Sequence, residues 1–215
     1  MHLLKTAQIT AILFVVILVG LHIIKREIDP SWQPISEYAL GKSGWMMNLA
    51  FLLLGASFLS LGWYAFKVLP KIGAKVGGVL LIVSAFGNFL AGIFNTDPAG
   101  TLPDQMTTSG QWHGIGASLL ALMLIATILL TWQFFKQPTL RAKRQTMLFA
   151  TILLWFFEIS LIIAMGVYLG RNDGVLSVDT PIGWWGRLVI VCCAAWIWLC
   201  SRALRSLSGA PAGRQ

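Results

Sequence analysis

The sequence predicts an all-α integral membrane protein whose six transmembrane helices form one bundle. Of its 215 residues 57% are hydrophobic, and the mean hydropathy is +0.75. The apolar residues come in long uninterrupted runs, whereas a helix or strand that faces water alternates apolar with polar positions. Continuous runs also exclude a membrane β-barrel, whose strands alternate between lipid and lumen. Helices therefore satisfy the backbone hydrogen bonds within the bilayer.

Six stretches approach the roughly 20 apolar residues that a helix needs to cross the hydrocarbon core. We expect transmembrane helices at residues 7–24, 45–66, 76–94, 113–135, 147–169 and 184–201. The first stretch follows Lys5 and has some features of a signal peptide. It is too long for one and lacks a small-residue cleavage site before Lys25, so we expect a retained helix. We expect a single domain over residues 1–215, with a short cytoplasmic tail at 202–215.

The charge distribution predicts that both termini face the cytoplasm. An even number of spans places the termini on one side, and that side carries 11 Lys and Arg residues against five on the other. The side with more cations is normally cytoplasmic. The other side holds seven of the eight acidic residues: Glu27, Asp29, Glu37, Asp97, Asp104, Asp173 and Asp179. The formal net charge of +8 thus faces anionic lipid, and it does not indicate a nucleic-acid partner.

Two features that suggest a cofactor have simpler explanations. Most of the ten tryptophans lie near predicted span ends, where aromatic belts sit at the membrane interfaces. His22 and His113 share one leaflet, but Lys25 follows His22 by three residues and indicates an interfacial position unsuited to haem. The three cysteines lie within the last span, where we expect packing residues instead of disulfides. We predict no cofactor.

Glu158 is the one acidic residue inside a predicted span. An ionisable group at mid-depth costs at least a few kcal/mol unless it is neutral or paired inside the bundle. One interpretation is a carboxyl that carries a proton or orients a substrate in a polar pocket. The other is a neutral glutamic acid satisfied by a neighbouring Ser or Asn.

His113 opens the fourth span at the outer surface, after a loop that contains Asp97 and Asp104. Carboxylates and imidazole together could bind zinc or another divalent ion, but no H-E-x-x-H or H-x-x-x-H spacing is present. We therefore predict no metal site, with His113 and Asp97 as the nearest candidates. We expect His113 to lie within direct or water-bridged hydrogen-bonding reach of Asp97 or Glu37.

Glycines predict close helix packing at two places. Gly110 and Gly114, followed by Gly116, give the fourth span a small-residue face, and Gly73 with Gly77 does the same at the start of the third.

Four short motifs carry a resemblance to a known family. They are Pro34-Ile-Ser-Glu-Tyr, Asn48-x-x-Phe51-x-x-x-Gly55, Gly92-Ile-Phe-Asn-Thr-Asp-Pro98 and Gly110-Gln-Trp-His113. Over roughly the first two-thirds of the chain, the sequence resembles the bacterial membrane family catalogued as domain of unknown function 998. The resemblance implies a six-helix protein of prokaryotic cytoplasmic membranes without an established biochemical role. It groups five polar residues on the outer half of the bundle: Ser36, Glu37, Asn48, Asp97 and His113. Glu158 lies outside the matched region.

These observations support three hypotheses about function. The first is an inner-membrane protein that binds a lipid headgroup or small amphiphile in an outward polar pocket, lined by Ser36, Glu37, Asn48, Asp97, His113 and Glu158. The second is an intramembrane hydrolase or transferase that uses Asp97 and His113 as metal ligands or as an acid–base pair. The third is a scaffold or assembly factor whose glycine-rich faces bind partner helices or other copies. Nothing indicates a channel filter or an inverted-repeat transporter.

Overall fold

The chain folds into long helices joined by loops. The computed structural model describes residues 1–172 and 174–208. Within them six stretches are long and apolar enough to cross a membrane: His2–Ile24, Trp45–Val68, Ile72–Ile93, Thr108–Lys136, Pro138–Arg171 and Gly183–Leu204. The predicted all-α fold with six transmembrane helices is therefore confirmed. Asp173 and residues 209–215 of the predicted tail lie outside the described residues.

Seven α-helices make up the six spans. They are α1 (His2–Ile24), α2 (Trp45–Val68), α3 (Ile72–Ile93), α4 (Thr108–Leu120), α5 (Leu122–Lys136), α6 (Arg144–Arg171) and α7 (Gly183–Leu204). The fourth span consists of α4 and α5, and the fifth contains α6. Short 3₁₀ helices lie at Ile35–Ala39, Pro103–Gln105, Pro138–Lys143 and Arg205–Ser208.

Several helices extend past the predicted span ends. α1 begins at His2 instead of residue 7, and α4 begins at Thr108 instead of residue 113. The predicted ends follow the limits of the apolar runs, whereas a helix keeps its backbone hydrogen bonds through polar residues at the interface. Thr107 sets the start of α4, because its side-chain oxygen accepts a hydrogen bond from the Gly110 N–H at 3.0 Å.

The fourth span, predicted as one continuous helix, is interrupted at Ala121. The Ala121 N–H donates to the Ser118 carbonyl at 3.2 Å, and the Leu124 N–H donates to the Ala121 carbonyl at 3.1 Å. Both bonds reach back three residues instead of four, which tightens the turn locally. The interruption lies beside a cavity that Leu120 and Ala121 help to line.

The six spans are arranged as a ring. α1 packs on α2, α2 on α3, and α3 on both α4 and α5; α5 contacts α6, α6 packs on α7, and α7 returns to α1. We call the end of the ring that holds residues 1 and 208 the proximal end. The loops after α1, α3 and α6 lie at the other end, which we call the distal end.

Glycines allow the backbone of α3 to approach its two neighbours closely. A Cβ placed on Gly78 would lie 2.7 Å from the Gly62 oxygen, and one on Gly87 would lie 2.5 Å from the Gly116 oxygen. Neither position has room for a methyl group, so small residues set these helix separations. The predicted small-residue face of α4 is therefore correct at Gly116. At Gly114 the prediction is wrong, because a Cβ there would meet no atom within 4 Å.

A layer of hydroxyl and indole groups joins α5, α6 and α7 in the proximal half of the bundle. The hydroxyl oxygens of Thr131 and Thr151 lie 2.7 Å apart, and the Trp196 indole N–H donates to the Thr151 hydroxyl at 2.9 Å. The Trp155 indole N–H donates to the Thr127 hydroxyl at 3.3 Å. This layer satisfies polar groups that would otherwise be unpaired in an apolar surrounding.

The distal half of α6 is packed much less tightly. The span that contains α6 has the smallest buried share of the six, 22%, and its buried residues Met147, Thr151 and Leu154 all lie in the proximal half of α6. Further along, Glu158 lines a cavity, while Ile162 and Ile163 are exposed. In a bilayer this half of α6 therefore has lipid on one side and a cavity on the other.

Candidate functional site

Glu37 connects two distal loops. It lies in the 3₁₀ helix Ile35–Ala39 and is 3% exposed. One carboxylate oxygen accepts a hydrogen bond from the Ala99 N–H in the loop after α3, and the other accepts from the Gln33 side-chain amide. A buried carboxylate needs such donors. One oxygen of Glu37 therefore joins the two loops, and the other stabilises the loop after α1 internally.

Asp97 performs a similar task at the start of α4. Its Oδ1 accepts from the Thr107 hydroxyl at 2.8 Å, and its Oδ2 accepts from the Thr107 N–H at 2.9 Å. A Cβ on Gly110 would collide with the same carboxylate. Asp97, Thr107 and Gly110 thus fix how the chain enters α4.

His113 is buried on the first turns of α4. Its Nδ1–H donates to the Phe94 carbonyl at 2.9 Å, and its ring lies edge-on to Phe51 with the ring centres 5.8 Å apart. The carbonyl of Phe94 is one of those left without a partner at the end of α3. Among the described residues no hydrogen bond joins His113 to a carboxylate, so its direct partner is a carbonyl instead of Asp97 or Glu37. Its Nε2 has no hydrogen-bond partner among them.

Three cavities lie between the distal surface and the middle of the bundle. The distal crevice, about 210 Å³, is lined from all three distal loops by residues that include Ser36, Glu37, Asp97, Thr101 and Leu176. The His113 cavity, about 150 Å³, lies below it and is also lined by Phe51 and Asn88. The Glu158 cavity, about 220 Å³, is lined by residues from α4 to α7.

Shared residues connect these cavities into a row. Ser36 lines both the distal crevice and the His113 cavity. Ile35, Ala117, Leu120 and Ile190 line both the His113 cavity and the Glu158 cavity. The two inner cavities are mostly apolar in lining, whereas the distal crevice is the most polar of the three. The row is therefore most polar at its distal end and apolar further inside, which matches the polarity of an amphiphile.

Glu158 and Asn48 are the two predicted site residues that lie apart from the distal loops. Glu158 is half-buried at mid-span and forms no hydrogen bond or ion pair with the described residues. The hydroxyl of Ser160, two positions along, donates to the Phe156 carbonyl at 2.7 Å instead. Asn48, on α2, does not line any of the three cavities. Its side-chain oxygen is buried without a hydrogen-bond partner.

Arg187 is a site residue that the sequence analysis missed. It is 4% exposed on the first turns of α7. Its Nε–H donates to His22 Nε2 at 2.8 Å, and its Nη1 donates to the carbonyls of Gln33 at 2.7 Å and Gly183 at 3.0 Å. Its Nη2 donates to the Tyr38 hydroxyl at 3.3 Å. Arg187 thus connects α1 and α7 to the loop after α1, which covers the cavities at the distal end.

His22 accepts a hydrogen bond in this network. Its Nδ1–H donates to the Leu18 carbonyl at 2.7 Å, which leaves Nε2 as the lone-pair nitrogen that faces Arg187. Hydrogen bonds from the Ser31 hydroxyl and N–H, with a smaller contribution from the charge of Arg187, lower the pKa of the exposed Asp29 carboxyl. Arg187 is thus balanced by carbonyls and rings, with one carboxylate nearby.

Lys25, at the end of α1, stabilises the same loop. It is 3% exposed, and its ammonium donates to the Tyr38 carbonyl at 3.2 Å and to the Leu40 carbonyl. These carbonyls lie at the end of the 3₁₀ helix Ile35–Ala39, where intrahelical partners are lacking. Two buried cations therefore fix the short helix that contributes Ile35 and Ser36 to the cavities.

One form of the enzyme hypothesis uses Asp97 and His113 as metal ligands. Within residues 1–172 and 174–208, no three His, Cys, Asp or Glu side chains lie close enough together to hold a metal ion. The thiol of Cys193 lies 3.0 Å from the Met123 sulfur in the core, and the three cysteines are free.

Comparison with known proteins identifies a family. The family model described as "Protein of unknown function (DUF998)" matches residues 8–203. The match includes the distal loops, Glu158 and Arg187, and so exceeds the two-thirds of the chain over which the resemblance was noted. No curated protein and no solved structure matches the chain. The chain belongs to the DUF998 family of proteins of unknown function.

Proposed function

We propose that this protein binds a small membrane amphiphile in the row of three cavities. The polar headgroup lies in the distal crevice, and the apolar tail extends through the His113 cavity into the Glu158 cavity. The observation that carries the proposal is that neighbouring cavities of the row are adjacent, since they share Ser36 at one junction and Ile35 with Ala117 at the other. Ligand sites between the helices of a bundle commonly combine apolar walls with a few polar groups.

The lining of the distal crevice supports a headgroup that donates hydrogen bonds. Glu37, Asp97, Ser36 and Thr101 contribute carboxylates and hydroxyls, and the crevice lining includes no Lys or Arg. A bare phosphate would meet two carboxylates there without a compensating cation, which is unfavourable. A headgroup rich in hydroxyls, or one with an amine, suits the crevice better.

The inner cavities support a single narrow tail. Their volumes of about 150 and 220 Å³ are small, and their linings are mostly apolar. His113 Nε2 and the Glu158 carboxyl are two of the polar groups along the path that lack hydrogen-bond partners among the described residues. We propose that they orient a hydroxyl or carbonyl of the bound molecule, because a polar group at that depth needs a partner.

A substitution at Ala117 tests this proposal. Ala117 lines both inner cavities and is exposed, so phenylalanine there fills the junction without displacing buried side chains. We expect Ala117→Phe to weaken binding of a fluorescent monoacylglycerol by at least about tenfold, measured by titration of the purified full chain in detergent. Ile115→Phe, on a lipid-exposed face of the same helix, is the control and should bind as the parent does. Equal affinity of Ala117→Phe and the parent would show that the cavities do not hold the tail.

We further propose that the protein lies in the bacterial cytoplasmic membrane, with its termini in the cytoplasm and the distal crevice outside. The side predicted to be cytoplasmic has 11 Lys and Arg residues and the other side has five, and this asymmetry supports the orientation.

Single cysteines test the orientation. In a background with Cys192, Cys193 and Cys200 replaced by alanine, we expect Thr108→Cys to react with a membrane-impermeant maleimide in intact cells. Thr139→Cys should react only after the cells are opened. Both positions are exposed at opposite ends of the bundle, so accessibility is matched. The reverse labelling pattern would invert the proposed orientation.

A further inference from the structure

A second amphipathic surface extends from the middle of the bundle toward the proximal end, away from the distal crevice. A groove of about 480 Å³ runs between α1 and α7 and is lined almost wholly by apolar atoms. Ala11 and Val15 form one wall, and Ala195, Trp198 and Leu199 form part of the other. Small side chains on both helices leave this groove open toward the lipid.

The groove ends beside a crevice that carries positive charge. This basic crevice, about 210 Å³, lies between α7 and the start of α6, and its lining includes Lys143, Thr146 and Arg202. Leu199 lines both the groove and the basic crevice. The guanidinium of Arg202 lies over the ring of Trp198, 5.1 Å from its centre, so the apolar wall leads directly to a cation.

No acidic residue lies near these cations in the described segments at the proximal end. The sequence has no Asp or Glu in residues 1–8, 66–75, 133–147 or 199–208, which form those segments. Neither Lys143 nor Arg202 forms an ion pair or a hydrogen bond with another described side chain. Both cations therefore attract an anion.

We propose that an anionic phospholipid of the membrane occupies this surface, with an acyl chain in the groove and its phosphate between Lys143 and Arg202. Along α7 the groove runs from Val191 to Leu199, a rise of about 12 Å. One leaflet of the hydrocarbon core is roughly 15 Å thick, so the groove matches the depth of a single leaflet. Basic pockets between transmembrane helices are a recognised place for anionic headgroups. The proposal does not depend on the distal cavities.

Charge-neutralised variants test the headgroup site. The full chain is placed in nanodiscs of equal parts phosphatidylglycerol and phosphatidylcholine. The protein is then released from the nanodiscs in the mass spectrometer, and the lipids that stay bound to it are counted by native mass spectrometry. We expect the parent to retain phosphatidylglycerol preferentially and Lys143→Gln/Arg202→Gln to lose about tenfold of that preference. Lys67→Gln/Lys136→Gln is the matched control. It removes the same charge at the same end, from lysines that lie over Trp63 and Trp132 instead.

A second variant tests the acyl groove. Ala195→Phe fills the groove from an exposed position and should reduce phosphatidylglycerol retention, whereas Ile125→Phe on α5 should not. Because Ala195→Phe leaves both cations in place, it separates loss of the tail site from loss of charge. Thermal unfolding of each variant checks that the fold is intact.

Four results would overturn the proposal. Unchanged retention in Lys143→Gln/Arg202→Gln would show that the basic crevice holds no lipid, and an equal loss in the control pair would show only a diffuse surface charge. Millimolar inorganic phosphate that displaces the bound lipid from the parent would indicate a site for free anions. A changed oligomeric state in Ala195→Phe, with lipid retention intact, would identify the groove as an interface between copies of the chain.

Discussion

Arg187→Met is expected to lower the free energy of unfolding by about 3 kcal/mol or more. The substitution preserves most of the apolar volume of the side chain but removes donors to His22, Gln33 and Tyr38. Each buried acceptor left without a donor costs about 1–3 kcal/mol. The loss should appear as a lower midpoint of thermal unfolding in detergent and as reduced accumulation in the membrane.

Arg171→Met is the control for this prediction. Arg171 lies at the distal end as well, on the last turn of α6, but it is exposed. The two substitutions therefore change net charge equally at the same end of the bundle. If both variants unfolded at the temperature of the parent, the hydrogen-bond network around Arg187 would contribute nothing measurable to stability.

Gly116→Ala is expected to have an effect of similar size through steric overlap. The added methyl group would lie 2.5 Å from the Gly87 oxygen and 3.0 Å from the Ala91 nitrogen, both backbone atoms of α3. A backbone cannot rotate away as a side chain does, so α3 and α4 must separate. Overpacking typically costs about 1–3 kcal/mol, and we expect the upper end of that range, with a fall in Tm of about 5–10 °C.

Gly114→Ala provides the matched comparison on the same helix. A Cβ at Gly114 meets no atom within 4 Å, and alanine favours a helix over glycine by about 1 kcal/mol. This variant should unfold at the same temperature as the parent or slightly above it. A loss of stability as large as that of Gly116→Ala would mean that the contact with Gly87 does not explain the destabilisation, since helix propensity favours alanine at both positions.

The fold was predictable because lipid imposes a simple rule on the sequence. Each span has to be an apolar run of sufficient length, and the six runs are separated by clear polar breaks such as 67–75 and 136–144. The interruption at Ala121 was not predictable, because a turn held by three-residue hydrogen bonds leaves no mark on hydropathy. The bounds of α1 and α4 were wrong by five residues, since polar residues continue a helix into the interface.

The candidate site was predictable in its location and not in its contacts. Helix order alone places Glu37, Asp97 and His113 at one end of the bundle. Their partners depend on how distant loops fold over one another, as the bond from the Ala99 N–H to Glu37 across 62 positions shows. For this reason carboxylates that were expected to line a pocket for a ligand prove to hold the loops as well.

Arg187 shows a signal that was present in the sequence but was interpreted too narrowly. It is one of the five cations counted on the outer side. Arg187 lies within the first turns of a span, two positions after Trp185, and its guanidinium lies 5.9 Å from the centre of the Trp184 ring. Such a cation is costly at membrane depth unless it is fully bonded, and this cost is itself evidence for a structural network.

The uneven packing of α6 has a mechanical consequence. The helix is anchored by Thr151 and Trp155, and no interhelical side-chain hydrogen bond among the described residues holds it between Trp155 and its distal end. A tilt of α6 about that anchor would break none of the hydrogen bonds that Glu37 and Asp97 form in the distal loops. A small tilt of the distal half of α6 would therefore change the width of the Glu158 cavity, which α6 and α7 both line, while the distal loops stayed in place.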